Sequence, residues 1–535
     1  MKRFRVIIQT TFFIIFFVLL VLTEYAGKNE IRYPVKFFLD FNPLILITTI
    51  LASHGIPAEI PKTLFLSVFL IILTVFLGRV FCGWICPFGS LNHFIGYLSS
   101  KKKSNLDKRN HGEFDNRYKL KYLILIFILI SSLFTLHITG ILDPLSLLIR
   151  SFAISINPIL NYFFRSFFDF LYFTDIKVIK AISEPIYSLL KKVYLSFNQP
   201  YFSQVFIIGM FFFGILFLNL IKDRFWCRFL CPLGALLGLF SRFSFIEMKV
   251  DERCKQCKDC MKKCQGGRML DREIQWMPSE CMVCFCCVDE CREGFSHFRF
   301  RSPFQRKVKG IDLGRRHILT SAAFGIFAVP LIKLDPKRKK PVPSLIRPPG
   351  AVEEDIFLER CVKCGECMKV CLTNGLQPTL FEAGLEGIWS PILVSRLGYC
   401  EYYCNLCGQV CPTGAIKELT VEEKVKIKIG LAFIDKDRCL PYALDTPCIV
   451  CEEVCPTPKK AIWFRKKAVV DKKGKKIVLQ QPVVDADLCI GCGICENLCP
   501  VIDKPAIVVT SIGESRSKTN QLPMVLDRDV FGKRI

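Results

Sequence analysis

The sequence predicts an α-helical membrane part, four spans in two repeats plus a fifth anchoring helix, joined to small α+β domains built around cysteines. Three observations lead there. Of the 535 residues 51% are hydrophobic, 48 of them Phe, with the apolar runs concentrated before residue 240; that is too long and too apolar for one soluble domain. Twenty-nine cysteines are present, most in short regular spacings. Finally, Leu313-Gly314-Arg315-Arg316-His317 and the uncharged run 318–332 stand between two groups of those cysteines.

Residues 6–23 are uncharged, with Lys2, Arg3 and Arg5 before them and Glu24 after. This suits a first span entered from the cytoplasm, and no small-x-small site follows that would mark a cleaved signal. Residues 63–78, 122–142 and 205–221 supply three further spans, the third carrying His137, a candidate for quinol deprotonation or haem ligation. Residues 43–53 and 145–160 are too short or too interrupted to assign as spans and fit the outer interface or re-entrant pieces. Residues 101–121 hold eight Lys or Arg against three Asp or Glu, so the positive-inside rule makes them cytoplasmic, with the ends of spans two and four.

Those two ends repeat each other. Arg79-Val-Phe-Cys82-Gly-Trp-Ile-Cys86-Pro87-Phe-Gly89 returns as Arg224-Phe-Trp-Cys227-Arg-Phe-Leu-Cys231-Pro232-Leu-Gly234. Cysteines four apart share a helix face, and two such faces brought together by repeat symmetry would present four thiols at one point. Inert buried thiols are the alternative; cluster, disulfide and free thiol all remain open for Cys82, Cys86, Cys227 and Cys231.

Cys254, Cys257, Cys260 and Cys264 are spaced two, two, three, as are Cys281, Cys284, Cys287 and Cys291. Three thiolates from one tight loop wrap a cubane corner while the fourth reaches the neighbouring cluster, so the expected sets are Cys254, Cys257, Cys260 with Cys291, and Cys281, Cys284, Cys287 with Cys264. The run of four favours iron and sulfide over structural zinc. Cys286 reads as a buried spare thiol.

The arginine pair followed by small apolar residues (Ser321, Ala322, Ala323, Gly325, Ala328) resembles a twin-arginine export signal that remains as an anchor. A basic, proline-rich linker, 335–350, follows. Beyond it stand four motifs: Cys361, Cys364, Cys367, Cys371; Cys400, Cys404, Cys407, Cys411; Cys439, Cys448, Cys451, Cys455; and Cys489, Cys492, Cys495, Cys499. The second and third are stretched at the first interval, which suggests nested pairing, first with fourth and second with third; sequential pairing is the alternative. Insertions at 385–399 and 421–433 are expected to cap the clusters or form a docking surface. These 24 cysteines suffice for six [4Fe-4S] clusters in domains of bacterial-ferredoxin type. The expected boundaries are 1–245 for the membrane domain, 246–305 for a cytoplasmic two-cluster domain, 306–334 for the anchor, 335–350 for the linker and 351–535 for a periplasmic four-cluster domain.

The formal net charge of +25 would suggest nucleic acid in a soluble protein. Here basic residues beside spans set topology, and lysines such as Lys255, Lys258, Lys262, Lys263 and Lys363 offset cluster charge. No Gly-x-Gly-x-x-Gly and no P-loop is present, so neither nucleic acid nor nucleotide is expected as a partner. None of the six His follows a Cys-x-x-Cys pair, which excludes attached c-type haem. No acid, base or nucleophile constellation stands out.

With its paired Cys-x-x-x-Cys-Pro motifs and two-cluster domain, the first 300 residues resemble the NapH membrane ferredoxins. From the arginine pair onward, with Arg347-Pro348-Pro349-Gly350-Ala351 ahead of four cluster motifs, the chain resembles NapG and MauM proteins. The resemblance implies a fusion of two normally separate partners in the bacterial inner membrane. It further implies a quinol dehydrogenase module in anaerobic respiration, passing electrons from the quinone pool to a periplasmic reductase, as in nitrate reduction, or to a c-type cytochrome. A factor supplying reductant for assembly of an exported metalloenzyme is the competing reading.

Overall fold

A computed structural model describes residues 2–55, 61–100, 116–174, 177–251, 253, 254, 260, 264–266, 276–291, 293–303, 313–333, 342–470 and 476–521, except 26 and 28. Cys257, Lys255, Lys258, Lys262, Lys263, most of the basic segment 101–121 and the first half of the linker lie outside the described residues. The chain forms two compact units, one of Met1–Leu22, Tyr33–Ser155 and Phe206–Leu331, the other of Thr23–Arg32, Ile156–Val205 and Ile332–Ile535.

Unit 1 is mainly helical. Helices Lys2–Leu22, Pro61–Leu77, Lys119–Leu133 and Val205–Phe217 occupy the positions of the expected spans. Among the described residues two helices are long and apolar enough to cross a membrane, Arg3–Leu22 and Pro144–Phe173. The second takes in 145–160, a stretch that the sequence leaves unassigned as a span. Asp143 caps it, accepting from the Leu145 and Ser146 N–H groups at 3.1 and 2.9 Å. A π-helical turn, Ser151–Ile156, then carries the backbone past Pro158, whose ring removes a helix hydrogen bond. The expected third span is broken instead: its helix ends at Leu133 and Thr135 takes φ +63°. His137 is fully buried beyond that break, its Nε2 3.2 Å from Thr48 Oγ1.

The arginine pair opens a helix, Arg315–Lys333. Its small residues face Lys119–Leu133: Ser321 Oγ donates to the Leu123 carbonyl at 2.7 Å, and a Cβ on Gly325 would lie 3.0 Å from Ile130. Small residues let two helix backbones approach closely where hydrophobic burial cannot drive them together.

The cysteine-rich parts repeat one plan three times. Residues just ahead of the first cysteine pair antiparallel with residues just behind the last, so each module is closed at its ends. Around Cys254–Cys291 the closure is β1 (Ile246–Val250) with β2 (Ser296–Phe300). Met248 turns inward against Cys287, while Glu247 on the other face meets Arg299 directly opposite at 2.9 Å, the alternation expected of a half-buried strand. Around Cys361–Cys411 the closure is the single bridge Ala351↔Ile416, supported by Lys417 N–H to the Gly350 carbonyl at 2.9 Å. Between the motifs of this module β3 (Leu376–Pro378) pairs with β4 (Pro391–Leu393). Around Cys439–Cys499 the closure is β5 (Leu431–Ile434) with β8 (Ile507–Thr510), and between the motifs β6 (Ile462–Val470) pairs with β7 (Lys476–Val484).

Unit 2 also holds two segments from the helical half of the sequence. Lys369 Nζ donates to the Thr23 carbonyl at 2.9 Å, and Gln409 Nε2 to that of Asn29 at 2.8 Å. Asn198 and Gln204 donate to the Leu372 and Pro378 carbonyls at 3.0 and 2.8 Å.

One close approach in unit 2 demands glycine. Gly491 has φ +73°, and a Cβ there would stand 2.5 Å from the Gly430 backbone. Gly491→Ala is expected to cost about 1–3 kcal/mol through strain and overpacking. Thermal denaturation of the holoprotein checks this; an unchanged midpoint would contradict the close approach.

Candidate iron–sulfur sites

Among the described residues, three compact motifs bend their backbone the same way. In Cys-x-x-Cys-x-x-Cys the residue before the second cysteine and the residue after it are left-handed: Val283 and Phe285, Lys363 and Gly365, Gly491 and Gly493, with φ between +47° and +85°. That pair of turns wraps three thiols around one point. Val283, Phe285 and Lys363 adopt a conformation side chains disfavour, and cysteine spacing alone does not announce it.

Four cavities result. One is lined by Cys361, Cys364, Cys367 and Cys411, a second by Cys400, Cys404, Cys407 and Cys371, and a third by Cys489, Cys492, Cys495 and Cys455. Their volumes are similar, 370, 450 and 340 Å³. In unit 1 a fourth, of 390 Å³, is lined by Cys281, Cys284, Cys287 and Cys264, the set expected from spacing. Cys439, the remaining first cysteine, lies within electrostatic range of Cys448 and Cys499; burial first, then these thiols, pushes it up to about 11. Modules therefore pair first motif with second and third with fourth, and the nested pairing is corrected. The closing pairs Ala351↔Ile416 and Ile434↔Ile507 tie each module shut on itself, so a fourth cysteine reaches only its own partner motif. The long interval between Cys439 and Cys448 is filled by a short helix, Leu440–Ala443. Both insertions help cap the second cavity, through Tyr399 and Ile429.

The donor set fits an iron–sulfur cluster better than a lone metal ion. Among the described residues no three Cys, His, Asp or Glu side chains are placed to hold a metal ion; the thiols ring wider, apolar cavities, as an iron–sulfide core between them requires. Backbone N–H groups point at sulfur: Val283 to Cys281, Ile416 to Cys411 and Ala506 to Cys499, each at 3.4 Å. Such bonds stabilise a metal-bound thiolate and tune its potential. Burial pushes Cys404 up to about 11 and Cys492 up to about 12, so cluster assembly must displace protons from these thiols.

In unit 2 the cavities are linked through shared segments. Cys371 and Cys411 are exchanged between the first and second, and Cys455 and Cys499 between the third and its partner motif. The two modules meet at Cys400, whose N–H donates to the Cys492 carbonyl at 2.8 Å, with Tyr402, Ile490 and Cys492 packed together there.

Lys363, expected to offset cluster charge, is buried next to Cys361. Arg347 is a structural residue that sequence reading did not single out beyond its motif. Fully buried, it forks onto Glu354 (2.6 and 3.1 Å) and donates to Ser390 Oγ and the Pro391 carbonyl at 2.9 and 2.7 Å. It also lies over the Phe357 ring at 4.5 Å. Arg516 adds a second contact to Glu354 at 2.7 Å. Burial alone would raise the Glu354 carboxyl, but Arg347 and Arg516 outweigh it and hold it below the usual carboxylate range. The stabilisation this depressed carboxyl supplies is present above the unfolded-state value, about 4.3, and is lost as pH falls through the lower folded value. Denaturant titrations between about pH 3 and 7 are expected to show a steeper acid loss of stability in the wild type than in Glu354→Gln; parallel curves would refute it.

The chain matches known proteins in both its apolar and its cysteine-rich parts. Residues 60–105, 204–249 and 407–431 match one family described as a 4Fe-4S binding domain, and 482–501 match another of the same description. Ferredoxin-type protein NapH of Haemophilus influenzae is 24% identical over 292 residues, 51% of this chain and 80% of the relative. Ferredoxin-type protein NapG of Escherichia coli is 34% identical over 99 residues, 18% of this chain and 42% of the relative. The methylamine utilization ferredoxin-type protein MauM of Methylorubrum extorquens is 36% identical over 100 residues, again 18% of this chain and 44% of the relative. The chain thus spans less than half the length of NapG and MauM. No solved structure matches it. Read with the three closed cysteine modules, these matches show a chain with 4Fe-4S binding domains that joins in one polypeptide a part similar to NapH and a part similar to the NapG and MauM ferredoxins.

Proposed function

We propose that this protein is a membrane-bound wire in which six [4Fe-4S] clusters carry single electrons from the quinol pool to a periplasmic redox partner, a c-type cytochrome or a reductase of the nitrate-reductase kind. The observation that carries it is the linkage of the cavities in unit 2, by exchanged cysteines within modules and by Cys400 and Cys492 between them. Linked one-electron centres suit relay rather than bond-making chemistry. The ligands are the 24 cysteines of the six motifs.

Segment membership supports the sidedness. With the N-terminus cytoplasmic, the segment after the first crossing helix is exterior; that segment, Thr23–Arg32, belongs with the C-terminal ferredoxin. Ile156–Val205, ahead of the expected fourth span, does too, whereas the first ferredoxin module belongs with the span ends carrying the basic residues. A reporter that works only in the periplasm, fused after Gly350, is expected to be active.

The decisive experiment is iron and acid-labile sulfide per chain with EPR on anaerobically purified protein, reduced by a menaquinol analogue and then by dithionite. About 24 irons, or somewhat more if the paired Cys-x-x-x-Cys-Pro motifs hold a further centre, with part of the signal appearing on quinol, is the expected result. Full iron content without reduction by quinol would overturn the quinol-fed wire in favour of an assembly role.

A further inference from the structure

Six ferredoxin clusters leave Cys82, Cys86, Cys227 and Cys231 unassigned. In unit 1 the two motif copies interlock reciprocally. Arg79 of the first reaches Gly234 of the second, its Nη2 2.7 Å from where a Cβ would stand. Arg224 of the second donates to the Cys82 carbonyl of the first at 3.5 Å. The four cysteines are free, three buried and Cys82 half-buried, and each thiol lies within electrostatic range of others in the set. The expectation of one shared helix face is corrected locally: each pair spans a π-helical turn, Phe81–Ile85 or Trp226–Leu230, and the second cysteine ends it. Cys86 and Cys231 each accept a backbone N–H, from Gly89 at 3.4 Å and Gly234 at 3.2 Å.

Charge decides what the thiols do. Arg79 and Arg224 are each 1% exposed, and Nε and Nη2 of both have no hydrogen-bond partner. Their other contacts are to the Ser279 carbonyl at 3.0 Å and Met282 Sδ at 3.2 Å. Glu280 stands 3.9 Å from Arg79, but its carboxylate is engaged by Lys121 at 2.5 Å and Tyr122 at 2.8 Å. Two buried guanidinium groups with unpaired nitrogens are costly unless an anion faces them. Disulfides and protonated thiols are neutral and leave that cost standing. Thiolates bound to metal remove it, and no three donors among the described residues are placed to hold a metal ion.

We propose that Cys82, Cys86, Cys227 and Cys231 together hold one iron–sulfur cluster shared between the two repeats, with Arg79 and Arg224 as its buried counter-charges. This rests on the reading of the chain as an iron–sulfur electron carrier and adds a centre to it. The family matches cover each copy separately; the interlocking joins them into one site. The loop that carries Cys281 and Cys284 lies against this site, with Trp84 Nε1 donating to the Val283 carbonyl at 2.9 Å, so the shared centre would neighbour the first ferredoxin module.

The test compares full-length protein with Cys82→Ser/Cys86→Ser, with Cys227→Ser/Cys231→Ser and with all four replaced, by iron content and Mössbauer spectra. A shared cluster predicts that either pair loses the same component, about four irons for a cubane or about two for a [2Fe-2S] centre, and that the quadruple variant loses no more. Additive losses, or none, overturn the proposal. Should those variants fail to accumulate, Arg79→Met keeps the ligands. It is expected to make one component of the redox titration harder to reduce, by about tenfold in its reduction ratio at fixed potential, with Arg79→Lys restoring it; unshifted components overturn the proposal. Failure of the ferredoxin reading is distinct: it appears as wild-type iron far below about 24, whereas about 24 irons unchanged in the quadruple variant refutes only the shared cluster.

Discussion

Serine at position 411 is expected to remove the cluster of Cys361, Cys364 and Cys367, although it lies in the following motif. Cys411 lines their cavity, and a cubane left with three thiolates and a poorly donating hydroxyl loses iron or converts to a smaller form. Iron should fall by up to about four per chain and one EPR component should vanish. Cys499→Ser should spare that component and remove the one at Cys439, Cys448 and Cys451. Nested pairing predicts the reverse assignment, so component-resolved EPR of the two variants separates them.

Loss of the Glu280 carboxylate is the other large effect. Glu280 is 2% exposed, with Lys121 Nζ at 2.5 Å, Tyr122 OH at 2.8 Å and Arg79 at 3.9 Å. It sits in the loop of the first ferredoxin module that rests on the helices: Ser241 Oγ donates to the Pro278 carbonyl at 2.8 Å and Arg79 to that of Ser279 at 3.0 Å. Glu280→Gln leaves Lys121, fully buried, without its counter-charge, and breaking one side of a buried pair costs about 3–5 kcal/mol. The double variant Lys121→Met/Glu280→Gln is expected to recover much of that, because it removes both charges. Protease protection of the first module in membranes, measured for the wild type and these variants, reads the order. A double variant no better than Glu280→Gln would show that the pair is not the anchor.

Much of the site was legible because cluster ligation is local in sequence. Three thiols of a cubane must come from one tight loop, so spacing identifies Cys281, Cys284 and Cys287, or Cys361, Cys364 and Cys367, without any knowledge of the fold. The fourth ligand is different. In the first ferredoxin module the two motifs have no competitor, and the expected partner, Cys264, is the one found. With four motifs in a row, similarity of spacing pointed to nested pairing, but spacing describes a loop and carries no information about which strands close a module. Ala351↔Ile416 and the pairing of β5 with β8 do.

By itself, the sequence determined which cysteines act as sets, that two motif copies are related, and that cysteine-rich modules flank an apolar, helix-forming part. Those properties lie in residue type and short-range spacing, which chain chemistry expresses directly. Tertiary structure alone decided which motif completes which cavity, the left-handed turns at Val283, Phe285 and Lys363, the burial of Arg347 with Glu354, and the unpaired guanidinium groups beside the four remaining thiols. Each depends on segments distant in the chain meeting in a low-dielectric interior. There, partners and charge balance follow from packing, which no local pattern encodes.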